Sequence, residues 1–128
     1  MHDGARPAGD VAARLAWLIL ASLGGCGGGR QDRPVAGDPH AGAIVIARKA
    51  CGSCHEIPGI EEADGTVGPS LAHFARRQTV AGPLANTPAN LFRYLKAPQS
   101  VVPGNYMPDQ GLTDRQARDI AAYLYTLR

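Results

Sequence analysis

The chain has 128 residues and a formal net charge of +2. That length suits one domain, and so mild a charge, with no basic run or RNA-binding motif, excludes a nucleic-acid partner. Sixteen glycines, ten prolines and only 5% aromatic residues describe a turn-rich chain with little bulky apolar surface to bury, for which a cofactor, a metal or disulfides would be a useful stabiliser.

Residues 1–26 read as a targeting segment. Arg6 and Arg14 give a positive start, diluted by Asp3 and Asp10. The apolar run "LAWLILASL", residues 15–23, is long enough for the core of a signal peptide and too short to span a bilayer. It ends in "LGGC", residues 23–26, which resembles the lipobox of bacterial lipoproteins. The resemblance implies that Cys26 is lipidated and becomes the first residue; an ordinary cleaved signal or an uncleaved anchor is the alternative. Two or three acyl chains would hold the protein stably on a membrane. Residues 27–38, rich in Gly, Pro and charge, form a flexible tether, and a domain spans 39–128.

In that domain Asp38 reads as an N-cap with Pro39 in the first helical position, predicting a helix over 39–50 that delivers Cys51 at its end. Then comes "CGSCH", residues 51–55. A thioredoxin-like dithiol would want a βαβ setting, and no strand precedes this motif. A zinc site would want a second cysteine or histidine pair. C-x-x-C-H is also the pattern of c-type haem attachment: Cys51 and Cys54 can each form a thioether to one haem vinyl group, which carries His55 under the iron as an axial ligand.

Further along, Thr87 caps a second helix over 88–97 that must stop at Pro98. Thr113 and Gln116 form a possible capping box for a last helix over 114–128. Its positions Ala117, Ile120, Ala121 and Leu124 share one face. Ile120, Tyr123 and Leu124 are expected to meet the small surface of the first helix near Gly42. No strand pattern of any length appears, so the fold class is all-α.

Methionine is scarce. There are two: Met1 leaves with the signal, so Met107 is the candidate for the second axial position. It sits in "PGNYMPDQG", residues 103–111, a loop that Pro103 and Pro108 stiffen. A Met/His pair raises the iron's reduction potential and fills both axial sites. Among the other histidines, His2 lies in the targeting segment, His40 starts a helix, and His73 is a weaker candidate ligand.

Residues 39–128 resemble a class I c-type cytochrome with a single haem, in "CGSCH", "GPSL" at 68–71, "MP" at 107–108 and the terminal "LTDRQARDIAAYLYTL". The resemblance implies a small fold in which about three to five short helices and loops enclose the haem, with the Pro69 carbonyl bonded to the second nitrogen of His55. The family's first helix carries an aromatic facing the last helix. Here that contact must be aliphatic. Residues 67–108 further resemble the cytochrome c domain fused to subunit II of some bacterial cytochrome c oxidases. Carried across, Arg77 lies near a haem propionate and Tyr94 takes the place of an aromatic against the haem edge.

The expectation is a single-electron carrier on the periplasmic side of a bacterial membrane, lipid-anchored. Its acceptor would be cytochrome c oxidase or another terminal oxidase, and its donor a quinol-oxidising complex or dehydrogenase. The acidic group Glu56, Glu61, Glu62 and Asp64 reads as a solvated loop. The alternatives are a haem subunit of a periplasmic dehydrogenase, or an open-site peroxidase or gas sensor if Met107 does not bind iron.

Overall fold

In the computed structural model, residues 35–128 are described, together with Met1 and Gly4. Most of the expected signal peptide, Cys26 and most of the expected tether lie outside the described residues.

Helix α1 is Pro39–Arg48. The Asp38 carboxylate accepts from the backbone N–H of His40 at 2.8 Å and of Ala41 at 3.3 Å, satisfying amides that a helix start leaves without partners. The helix stops two residues short of the sequence expectation because Ala50 turns left-handed, with φ 53°. That conformation costs a non-glycine residue about 1–2 kcal/mol. It swings the chain off the helix axis into a 3₁₀ turn, Cys51–Ser53, whose Ser53 hydroxyl bonds back to the Ala50 carbonyl at 2.8 Å.

The chain then folds back over that turn. The Gly65 and Gly68 amides donate to the carbonyls of Gly52 and Cys54 at 3.0 and 2.7 Å. A second 3₁₀ turn, Phe74–Arg76, leads into a two-strand hairpin, β1 Thr79–Val80 and β2 Leu84–Ala85, paired antiparallel. Asn86 lies behind it, almost fully buried. Its amide donates to the carbonyls of Phe74 and Arg77, and its oxygen accepts from the Tyr125 hydroxyl at 2.7 Å.

Helix α2, Pro88–Lys96, begins at the Thr87 cap and ends before Pro98. The short α3, Pro98–Val101, follows. Helix α4, Asp114–Leu124, carries the capping box between Thr113 and Gln116. It ends before residue 128, where Thr126 and Leu127 tighten into i→i+3 bonds. The Leu127 carbonyl accepts from Ala75 instead of continuing the helix.

The core is aliphatic where α1 meets α4. Gly42 and Ile46 are buried on α1 and Ala117, Ile120, Ala121 and Leu124 on α4. Gly42 lies directly against the α4 backbone at Asp119 and Ile120. Asp119 is buried within α4 and accepts the Asp38 N–H at 2.9 Å, pinning the entry of α1. The Tyr123 hydroxyl donates to the Pro58 carbonyl at 2.7 Å, bracing the loop after "CGSCH".

Candidate haem site

Ile46, Leu91, Leu95, Ile120 and Leu124 belong to the core and also wall a cavity of about 970 Å³. That is near the upper end of the ~300–1,000 Å³ range of cofactor pockets. Protein interiors otherwise pack at crystal density, so a group of that bulk would form part of this core.

Cys51, Cys54, His55, Pro69, Arg77, Tyr94 and Met107 all line this one cavity. Cys51 and Cys54 are unpaired thiols. Burial pushes the Cys51 thiol up, and the neighbouring Cys54 adds to the rise, while a backbone hydrogen bond and Lys49 oppose it.

The His55 Nδ1 lies 2.7 Å from the Pro69 carbonyl. A carbonyl can only accept, so Nδ1 carries the proton and Nε2 keeps its lone pair. Gly68 packs flat on the same ring: a Cβ there would sit 2.7 Å from Nδ1 and 2.9 Å from Nε2. Gly68→Ala is therefore expected to displace the imidazole and cost about 1–3 kcal/mol. The urea midpoint of the haem-loaded protein measures it.

Met107 is half-buried against the core. Its backbone N–H donates to Asn105 Oδ1 at 2.8 Å, and the Tyr94 hydroxyl donates to the same oxygen at 3.2 Å. The Asn105 amide donates to the Pro98 carbonyl at 3.0 Å and the Val102 carbonyl at 2.5 Å. Burial also pushes the Tyr94 phenol up. Arg77 bonds to the carbonyls of Ser70 and Ala72 and stands 5.7 Å over the Phe74 ring, so it braces the segment that carries Pro69.

His73 and His40 are exposed and absent from the cavity lining. The His73 ring bonds to the Arg128 carbonyl at 2.9 Å. The resemblance over residues 67–108 takes in the Asn86-Thr87-Pro88 and Pro98-Gln99 runs, but sequence reasoning gave no role to Asn86 or Gln99 and did not single out Asn105. A usable signal was present for Asn105: a side-chain amide two residues before a lone methionine in a Pro- and Gly-rich loop can cap the methionine's own amide.

The protein-family model for cytochrome c matches residues 40–128. The chain is 35% identical over 101 residues to cytochrome c oxidase subunit 2 of Bacillus sp. (strain PS3), covering 75% of this chain and 28% of that protein. It is 40% identical over 103 residues to cytochrome c2 of Rhodoblastus acidophilus, covering 70% and 92%, and 37% identical over 106 residues to cytochrome c2 of Rhodopila globiformis, covering 72% and 95%. The match thus spans only about a quarter of the oxidase subunit.

A helical shell around a cavity that presents C-x-x-C-H defines a c-type haem protein, and the chain belongs to the cytochrome c family. It is a class I, monohaem electron carrier whose cofactor is covalently bound haem c.

Proposed function

We propose that the protein passes single electrons through a haem c held by thioethers at Cys51 and Cys54, with His55 and Met107 as axial ligands, and that it delivers them to a terminal oxidase. The observation that carries this reading is the convergence of all four side chains on one apolar cavity. When bound, the haem supplies a one-electron iron couple. The residues do the rest.

The proton on Nδ1, held by the Pro69 carbonyl, fixes the His55 ring and leaves Nε2 to the metal; such a bond raises the ligand's basicity. The Met107 thioether, a soft neutral donor, favours the reduced iron. Apolar walls exclude water, which limits solvent reorganisation. Arg77, anchored on two carbonyls, retains further N–H donors for a propionate. Tyr94 supplies an aromatic wall tied to the Met107 loop.

Similarity to the oxidase subunit of Bacillus sp. supports an oxidase as acceptor, with a quinol-oxidising complex or dehydrogenase as donor. The "LGGC" run supports export and lipidation of Cys26, residues 1–26 being the signal peptide, 27–38 the tether and 39–128 the haem domain. Among the described residues no helix is long and apolar enough to cross a membrane; on this reading a lipid at Cys26 is the attachment. A tether would keep the haem domain at high local concentration beside its partners.

Mass spectrometry of the matured full chain under denaturing conditions tests the attachment. One haem is expected to stay covalently bound, and none in the Cys51→Ser/Cys54→Ser double variant. A bare polypeptide mass two hydrogens short, the mark of a Cys51–Cys54 disulfide, would refute it.

A further inference from the structure

The loop that presents Met107 has little regular structure of its own. Tyr106, immediately before the methionine, is 98% exposed, and Gly104 takes φ 79°. Helical and sheet bonds do not hold such a segment; side chains must.

Gln99 of α3 does so in a specific way. Its Nε2 donates to the Asn105 carbonyl at 2.7 Å and to the Met107 carbonyl at 2.9 Å. A side-chain amide has two N–H donors, and both are used here, one on each side of Tyr106. Gln99 is itself placed by Pro98, one of the most deeply buried residues in the domain. The Pro98 carbonyl also accepts from the Asn105 amide at 3.0 Å. Asn105 and Gln99 therefore grip the same three residues from two directions: Asn105 Oδ1 takes the Met107 N–H, and Gln99 takes the two carbonyls.

We propose that Gln99 is a positioning residue that holds Met107 in place and so sets how readily the methionine gives way to an outside ligand. The proposal rests on the reading of Met107 as an axial ligand. Gln99 touches the loop backbone and does not line the cavity. It is exposed, so its two bonds fall toward the low end of the net worth of a hydrogen bond. Their combined loss is expected to raise the open fraction of the loop about five- to tenfold.

The test is carbon monoxide binding to the reduced, haem-loaded full chain, compared between wild type, Gln99→Leu and Gln99→Glu. Leucine removes both donors; glutamate keeps the shape but turns a carboxylate toward two carbonyls. The expected result is negligible binding by wild type and binding about five- to tenfold faster in both variants. The methionine–iron band in the far red should weaken, and the urea midpoint should fall by no more than the loss of the same two bonds accounts for, since the unfolded chain lacks them too. A merely structural role would shift the midpoint and leave binding alone. Variants that match wild type in both binding rate and far-red band overturn the proposal. Ready binding by wild type itself overturns the prior reading of Met107, and the proposal falls with it.

Discussion

Gly42→Ala should destabilise the haem-loaded protein by about 3 kcal/mol or more, at or above the top of the usual range for overpacking. A Cβ at this position would run into the carbonyl group of Asp119 and approach the Ile120 amide nitrogen to 3.1 Å. These are backbone atoms in the middle of α4, and they cannot swing aside as a side-chain tip can. Alanine favours a helix over glycine by about 1 kcal/mol, but that gain is smaller than the clash.

The crossing cannot easily slide to make room. Asp38 is pinned to the Asp119 carboxylate at 2.9 Å, and Gly37, with φ 129°, lies against the Arg118–Asp119 backbone. If α1 lifts off α4, it carries Ala50 and Cys51 with it, and the cavity opens at the attachment motif. Native stability is about 5–15 kcal/mol in all, so the change removes a large share. The urea midpoint checks it; a loss below about 1 kcal/mol would show that the two helices relax past each other.

Met107→Ala should alter the iron while leaving the fold in place. The hydrogen bonds at this position are all made by backbone: its N–H to Asn105 and its carbonyl to Gln99. Alanine keeps both, so the loop retains its frame. What disappears is the thioether. The variant is expected to bind carbon monoxide when reduced and to lose its far-red sulfur band. Its potential should drop on the order of 0.1 V or more, within the ~0.8 V range that axial ligands command. Potentiometric titration against wild type checks that fall.

Helix starts were legible in the sequence because side chains make them. Asp38 before Pro39, Thr87 before Pro88, and the Thr113–Gln116 pair each satisfy amides through atoms that the sequence names. Helix ends were less legible: Pro98 marked the end of α2, but nothing marked the other two. Ala50 leaves α1 through a left-handed turn that no alanine advertises, and α4 gives way to i→i+3 bonds at Thr126 and Leu127, beyond which the Leu127 carbonyl accepts from Ala75. The hairpin at 79–85 has strands of two residues, too short for any alternation to register.

The site divides in the same way. Cys51, Cys54 and His55 stand out by spacing, and Met107 by scarcity. Resemblance alone suggested Pro69, Arg77 and Tyr94, and all three line the cavity. Asn105 and Gln99 escape spacing rules because they act on backbone carbonyls and amides, which every residue has. Asp119 reads as one more polar residue on a helix until the start of α1 is seen resting on it.

On the proposed reading the iron is six-coordinate, held between His55 and Met107. Absorption spectroscopy of the purified haem-loaded protein, oxidised and reduced, with added carbon monoxide and with Met107→Ala alongside, tests it most directly. The expected result is sharp reduced c-type bands, a weak far-red sulfur band that vanishes in the variant, and no carbon monoxide binding until Met107 is removed. Ready binding by the wild-type protein, with no sulfur band to lose, would contradict it and point to an open-site enzyme or gas sensor.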